Sequence, residues 1–155
     1  LKDNNLYDNT VIVAYADHYL YTINDKTILD KNKNTQGNLI NHTPFFIWSS
    51  DIEPQNINKV TMQMNILPTV LNLFGIDYNS NYYLGTNALA KDYKGIAFFS
   101  DYSWYDGNVY VEDDKIVNNG KLSKKKREET SEWVHNIIRK NDLTLKYNYF
   151  KTLNK

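Results

Sequence analysis

Cysteine is absent from the 155-residue chain, which excludes disulfide frameworks, cysteine-ligated zinc, iron–sulfur clusters and thiol nucleophiles. An excess of either charge is absent too, since 18 Lys and Arg stand against 18 Asp and Glu. That balance leaves no basic footprint for nucleic acid, no polyacidic tail and no polybasic membrane anchor. No apolar run approaches the roughly 18 residues of a membrane span. The opening Leu1-Lys2-Asp3-Asn4-Asn5 is not a signal peptide, and its lack of Met leads to the expectation of a processed fragment. Asparagine (22) and tyrosine (13) are what the chain has in abundance. An aromatic content of 14% argues against disorder. A chain of this length suits one ordinary domain, or a large piece of one, and can bury roughly 70% of its unfolded surface.

Thr10-Val11-Ile12-Val13-Ala14-Tyr15-Ala16 is a short apolar run rich in β-branched residues. It reads as a strand buried on both faces, as in a parallel sheet covered by helices. Residues 24–41 are polar and read as a long loop with no element of its own. Thr43-Pro44-Phe45-Phe46-Ile47-Trp48-Ser49 is a second buried strand, with Pro44 at its start, where a missing N–H does least harm. Met64, Leu67, Val70, Leu71 and Phe74 recur at helical steps and predict a helix from Thr61 to Phe74, ended by Gly75. Pro68 predicts a kink or a delayed start there. Residues 96–100 read as a third strand, and 108–112 with 115–117 as a hairpin turned by Asp113-Asp114. Ser123 caps a helix to about Lys140 whose apolar stripe is Trp133, Val134, Ile137 and Ile138. Strands alternating with helices imply an α/β architecture, and no linker divides residues 1–155.

Asp17-His18 stands where the first strand ends. Ligands of open α/β sheets bind beyond the carboxyl ends of the strands. Carboxylate oxygen and imidazole nitrogen are both good donors to Zn²⁺ or Mn²⁺. The competing reading makes Asp17 a turn cap and His18 a surface residue. His42, just before the second strand, reaches the same rim and contacts a phosphate, or is simply a loop histidine. Trp104 and Tyr105, in the aromatic cluster 101–107, either stack on a glycerol or sugar face or pack as a hairpin lid. His135 reads as structural. Lys124-Lys125-Lys126-Arg127 is a solvated first helical turn, with contact to anionic lipid as its alternative.

Three blocks together carry a resemblance: Leu6 through His18, Thr43 through Ser49, and Thr61 through Ile76, the last with its Leu67-Pro68-Thr69-Val70 centre. They resemble, in order, the C-terminal half of the sulfatase-like branch of the alkaline phosphatase superfamily, in particular the lipoteichoic acid synthases and phosphoglycerol transferases. The resemblance implies a three-layer α/β/α alkaline-phosphatase-like fold. Residues 1–155 would be the C-terminal portion of a single sulfatase-like domain, with a largely parallel sheet and an edge hairpin. It further implies that Asp17 and His18 are metal ligands, the ion being Mn²⁺ ahead of Mg²⁺ or Zn²⁺. The threonine nucleophile and upstream acidic ligand have no counterpart before Asp17. No catalytic residue is therefore expected in this chain, and the isolated chain is expected to be inactive. Its substrate would be a lipid-linked glycerol-phosphate donor. The remainder of the domain would be its partner, and a missing N-terminal anchor would hold it at the cell membrane, facing outward. Alternatives are a sulfatase or phosphodiesterase passing the group to water, or a non-catalytic binding module. Two departures are visible. Asn65 replaces the usual Asp and is expected to cap its helix, and Tyr19 replaces the usual Gly and is expected to narrow the approach to the metal.

Overall fold

The β-branched run near the N-terminus does extend into a strand, β1 (Ile12–Tyr15), in a computed structural model that describes residues 1–153. Its partner is β2 (Phe45–Trp48), paired from Ile12 opposite Trp48 to Tyr15 opposite Phe45. The pairing is antiparallel, and so is every strand pair among the described residues. The α/β mixture expected from the sequence is present, but the parallel pairing is not. Nor is β1 buried on both faces, because Ile12, Tyr15 and, on β2 opposite Ala14, Phe46 are exposed. An apolar run records a preference for leaving water; it carries no information on the direction of the neighbouring strand.

Contacts divide the chain into two compact units, Leu1–Ile57 and Asn58–Lys155. In the first, residues 24–41 are more ordered than their polarity suggested. They form α1 (Lys26–Asn32) and a 3₁₀ turn at Gly37–Asn41 that buries Leu39. Asp25 starts α1, its Oδ1 accepting from the Thr27 hydroxyl at 2.6 Å and the Thr27 amide at 2.9 Å. These donors hold the Asp25 carboxyl below its usual range, the hydroxyl contributing most. A seven-residue helix with this little apolar surface has almost no periodic signal, and its cap alone marks it.

In the second unit, α2 (Gln63–Leu73) starts two residues later than Thr61 and runs through Pro68. Asn65 caps it as expected, accepting from the Met62 amide at 2.9 Å, while its own amide donates to the Thr86 carbonyl at 3.0 Å. Pro68 has no N–H for the Met64 carbonyl, and Gly85 packs against that same group. A Cβ at Gly85 would lie 1.9 Å from the Met64 oxygen, so only glycine fits. Gly75 ends the helix with a φ of +62°, in the left-handed region.

A four-stranded meander follows: β3 (Ala97–Phe98), β4 (Trp104–Tyr105), β5 (Tyr110–Glu112) and β6 (Lys115–Ile116), in that spatial order. The β5–β6 turn places Asp113 and Asp114 at φ 46° and 59°, the left-handed pair of a two-residue hairpin. Ser123 Oγ accepts from the Lys126 amide at 3.3 Å and opens α3 (Lys124–Lys146), longer than expected. A short α4 (Tyr149–Thr152) closes the described chain. The core of this unit is Phe98, Trp104, Val109, Val111 and Val134, with Trp133, Ile137 and Ile138 of α3 against it.

Candidate metal centre

Antiparallel pairing puts the C-terminal end of β1 beside the N-terminal end of β2. Asp17 and His18, two and three residues past Tyr15, therefore lie at the same end of the ladder as His42, three residues before Phe45. The Thr43 hydroxyl, donating to the Ala16 carbonyl at 3.4 Å, ties the two segments there. Leaving a strand frees two neighbouring side chains from the alternation that would send them to opposite faces.

Asp17 Oδ1 and His18 Nε2 stand 3.5 Å apart. Two donors bound at about 2.1 Å to one tetrahedral ion are separated by about 3.4 Å, so the pair is spaced to share a cation. His18 Nδ1 lies 2.7 Å from the Tyr19 carbonyl. A carbonyl only accepts, so Nδ1 must carry the ring proton. In neutral imidazole that leaves the Nε2 lone pair free on the side of Asp17. A backbone carbonyl holding the far ring nitrogen is the usual way a metal-binding histidine is oriented. The Tyr21 ring packs against the imidazole with centroids 4.3 Å apart, and Tyr19 meets Tyr21 edge to face. Both donors remain open to solvent, Asp17 with 84% of its side chain exposed. Among the described residues, no three His, Asp or Glu side chains lie close enough to form a complete site. The donor chemistry thus fits two positions of a divalent-ion shell and no more.

The other expected site residues fare differently. His42 is exposed, with its carbonyl accepting from the Lys33 ammonium. Trp104 is wholly buried, and its indole N–H donates to Ser131 Oγ at 3.0 Å. With no ring face in contact with solvent, it is a core residue, and a glycerol or sugar has nothing there to stack on. Tyr105 is half-buried and donates its hydroxyl to the Gly107 carbonyl at 2.9 Å. His135 stacks on Tyr102, rings 9° from parallel with centroids 4.3 Å apart. Sequence reading missed Tyr21 and the Tyr19 carbonyl. A backbone acceptor has no residue signature, and one tyrosine among 13 gives none either.

A family model described as Sulfatase matches residues 1–76. A lipoteichoic acid synthase of Staphylococcus aureus is 31% identical over 122 aligned residues, covering 71% of this chain and 19% of that protein. A lipoteichoic acid synthase of Staphylococcus saprophyticus is 30% identical over the same length and coverage. The chain therefore spans about a fifth of the length of these curated relatives.

Proposed function

Because residues 1–76 belong to the sulfatase family, we propose that this sulfatase-like chain works within a metal-dependent phosphoglycerol transferase acting on a lipid-linked glycerol-phosphate donor. Asp17 and His18 supply two ligands to its divalent ion, Mn²⁺ by preference, and other parts of a longer protein supply the rest. One observation carries this reading: the two donor atoms stand 3.5 Å apart, with the far ring nitrogen committed to the Tyr19 carbonyl. The name of the relatives supports the transferase reaction, and the family match, which runs past Ile57 into α2, supports a sulfatase-like domain. It also supports reading residues 1–155 as the C-terminal portion of one sulfatase-like domain at the outer face of a cell membrane. Among the described residues, no helix is long and apolar enough to cross a membrane.

A bound divalent ion neutralises charge on phosphoryl oxygens and lowers the pKa of an attached nucleophile. The work of this chain's own groups is positional. The Tyr19 carbonyl holds His18 Nδ1–H, Tyr21 fixes the ring plane, and Asp17 brings the negative charge. His42, at the same end of the ladder, would donate to a phosphate oxygen.

In the complete protein, Asp17→Ala and His18→Ala should each lower metal-dependent transfer by at least about 100-fold. Neither should shift stability by more than about 1 kcal/mol, since both side chains are exposed. Undiminished turnover in both variants would overturn the assignment. The 155-residue chain alone should transfer nothing, and phosphoglycerol transfer by it would show that no outside ligands are needed.

A further inference from the structure

The end of α3 and the whole of α4 expose more apolar surface than a solvated helix end requires. Leu145 and Tyr147 are 72% and 66% exposed, and Leu143, Tyr149, Phe150 and Leu153 are all exposed as well. Ring contacts make part of this a continuous aromatic patch: Tyr149 meets Phe150 at 5.7 Å, and Phe150 meets Tyr82 at 5.7 Å. Basic side chains sit beside these groups. Residues 139–152 carry Arg139, Lys140, Lys146 and Lys151 against the single acid Asp142, in a chain of zero net charge. The Lys146 ammonium lies over the Tyr147 ring, 5.6 Å from its centroid.

We propose that residues 139–153 form a docking surface for the headgroup region of an anionic lipid bilayer. Tyrosine rings suit that boundary because one end is apolar and the other is wet, while flanking lysines meet the negative surface potential. Charge complementarity selects this occupant. Other dense groups of exposed apolar residues, 15–21 and 67–76, contain no Lys or Arg, so they lack the attraction that would favour anionic lipid. Asn148, at φ 48°, turns the chain between α3 and α4, so that Tyr147 and Tyr149 flank one sharp bend. This surface is independent of the Asp17–His18 pair, and either proposal can fail alone.

The test is sedimentation of the 155-residue chain with vesicles of phosphatidylcholine, with and without phosphatidylserine. Binding should require phosphatidylserine and weaken as NaCl rises from about 0.1 M to about 1 M. Lys146→Gln with Lys151→Gln should cut partitioning on the order of 20-fold, about fivefold for each charge. Leu145→Ser with Tyr147→Ser should cut it about tenfold or more. All four side chains are exposed, and circular dichroism should show both double variants folded like the parent. Equal binding to pure phosphatidylcholine, or unchanged binding by both variants, would overturn the proposal. So would concentration-dependent self-association that Leu145→Ser with Tyr147→Ser abolishes while vesicles capture nothing, because that would assign the surface to a second copy.

Discussion

The two units of this molecule divide its chemistry from its apolar burial. In residues 1–57, Leu39 is the one buried hydrophobic side chain among the described residues, whereas Ala88, Phe98, Trp104, Val109, Tyr110, Val111 and Val134 all lie in residues 58–155. The paired donors Asp17 and His18 belong to the first unit, on a two-stranded ladder that is marginal by itself. The second unit has a four-stranded meander closed by a long helix. The lesson is that donor atoms need only local constraint, a strand end and one carbonyl, while stability needs side chains that leave water together.

Substitutions can break that comparison. The largest effect is expected at the core of the second unit. Trp104→Ala removes a fully buried ring and orphans Ser131, and should cost about 3–5 kcal/mol in denaturant unfolding. Phe46→Ala, on the exposed face of β2, should cost under about 1 kcal/mol. Equal losses would dissolve the distinction between the units. Gly85→Ala comes next, because its methyl group would meet the Met64 backbone and force the chain off α2. About 1–3 kcal/mol is expected from thermal melts, and a neutral result would show that the close approach is not needed.

The smallest effect sharpens the picture at the start of α2. The Tyr93 hydroxyl lies 2.8 Å from the Val60 carbonyl and 3.0 Å from Asn65 Oδ1, and burial pushes its pKa up to about 12. The folded value exceeds the ordinary 10.0, so the contribution is complete below pH 10 and is lost as pH rises through about 12. Tyr93→Phe should flatten the decline in stability over that window relative to the parent. Identical alkaline profiles would remove Tyr93 from the account.

Much of the second unit was legible in the sequence because its signals are local. Ser123 three residues before an amide it caps, Asp113-Asp114 in a two-residue turn, and Gly75 after an apolar stripe each act within a few residues. The Asp17-His18 pair was legible for the same reason, standing next to a strand end. Less legible were α1, whose seven residues carry too few apolar side chains for a period to show, and the fate of Trp104. An aromatic cluster after a strand has the same composition whether it lines a pocket or fills a core.

By itself the sequence determined where chain segments extend, coil and turn, which residue types could grip a cation, and which family model the first 76 residues match. Tertiary structure alone decided that β1 runs antiparallel to β2 and that the Trp104 indole N–H meets Ser131. The reason is physical. Propensities and caps are set by neighbours along the chain, whereas strand direction, burial and hydrogen-bond partnership depend on groups that meet only when the chain has folded.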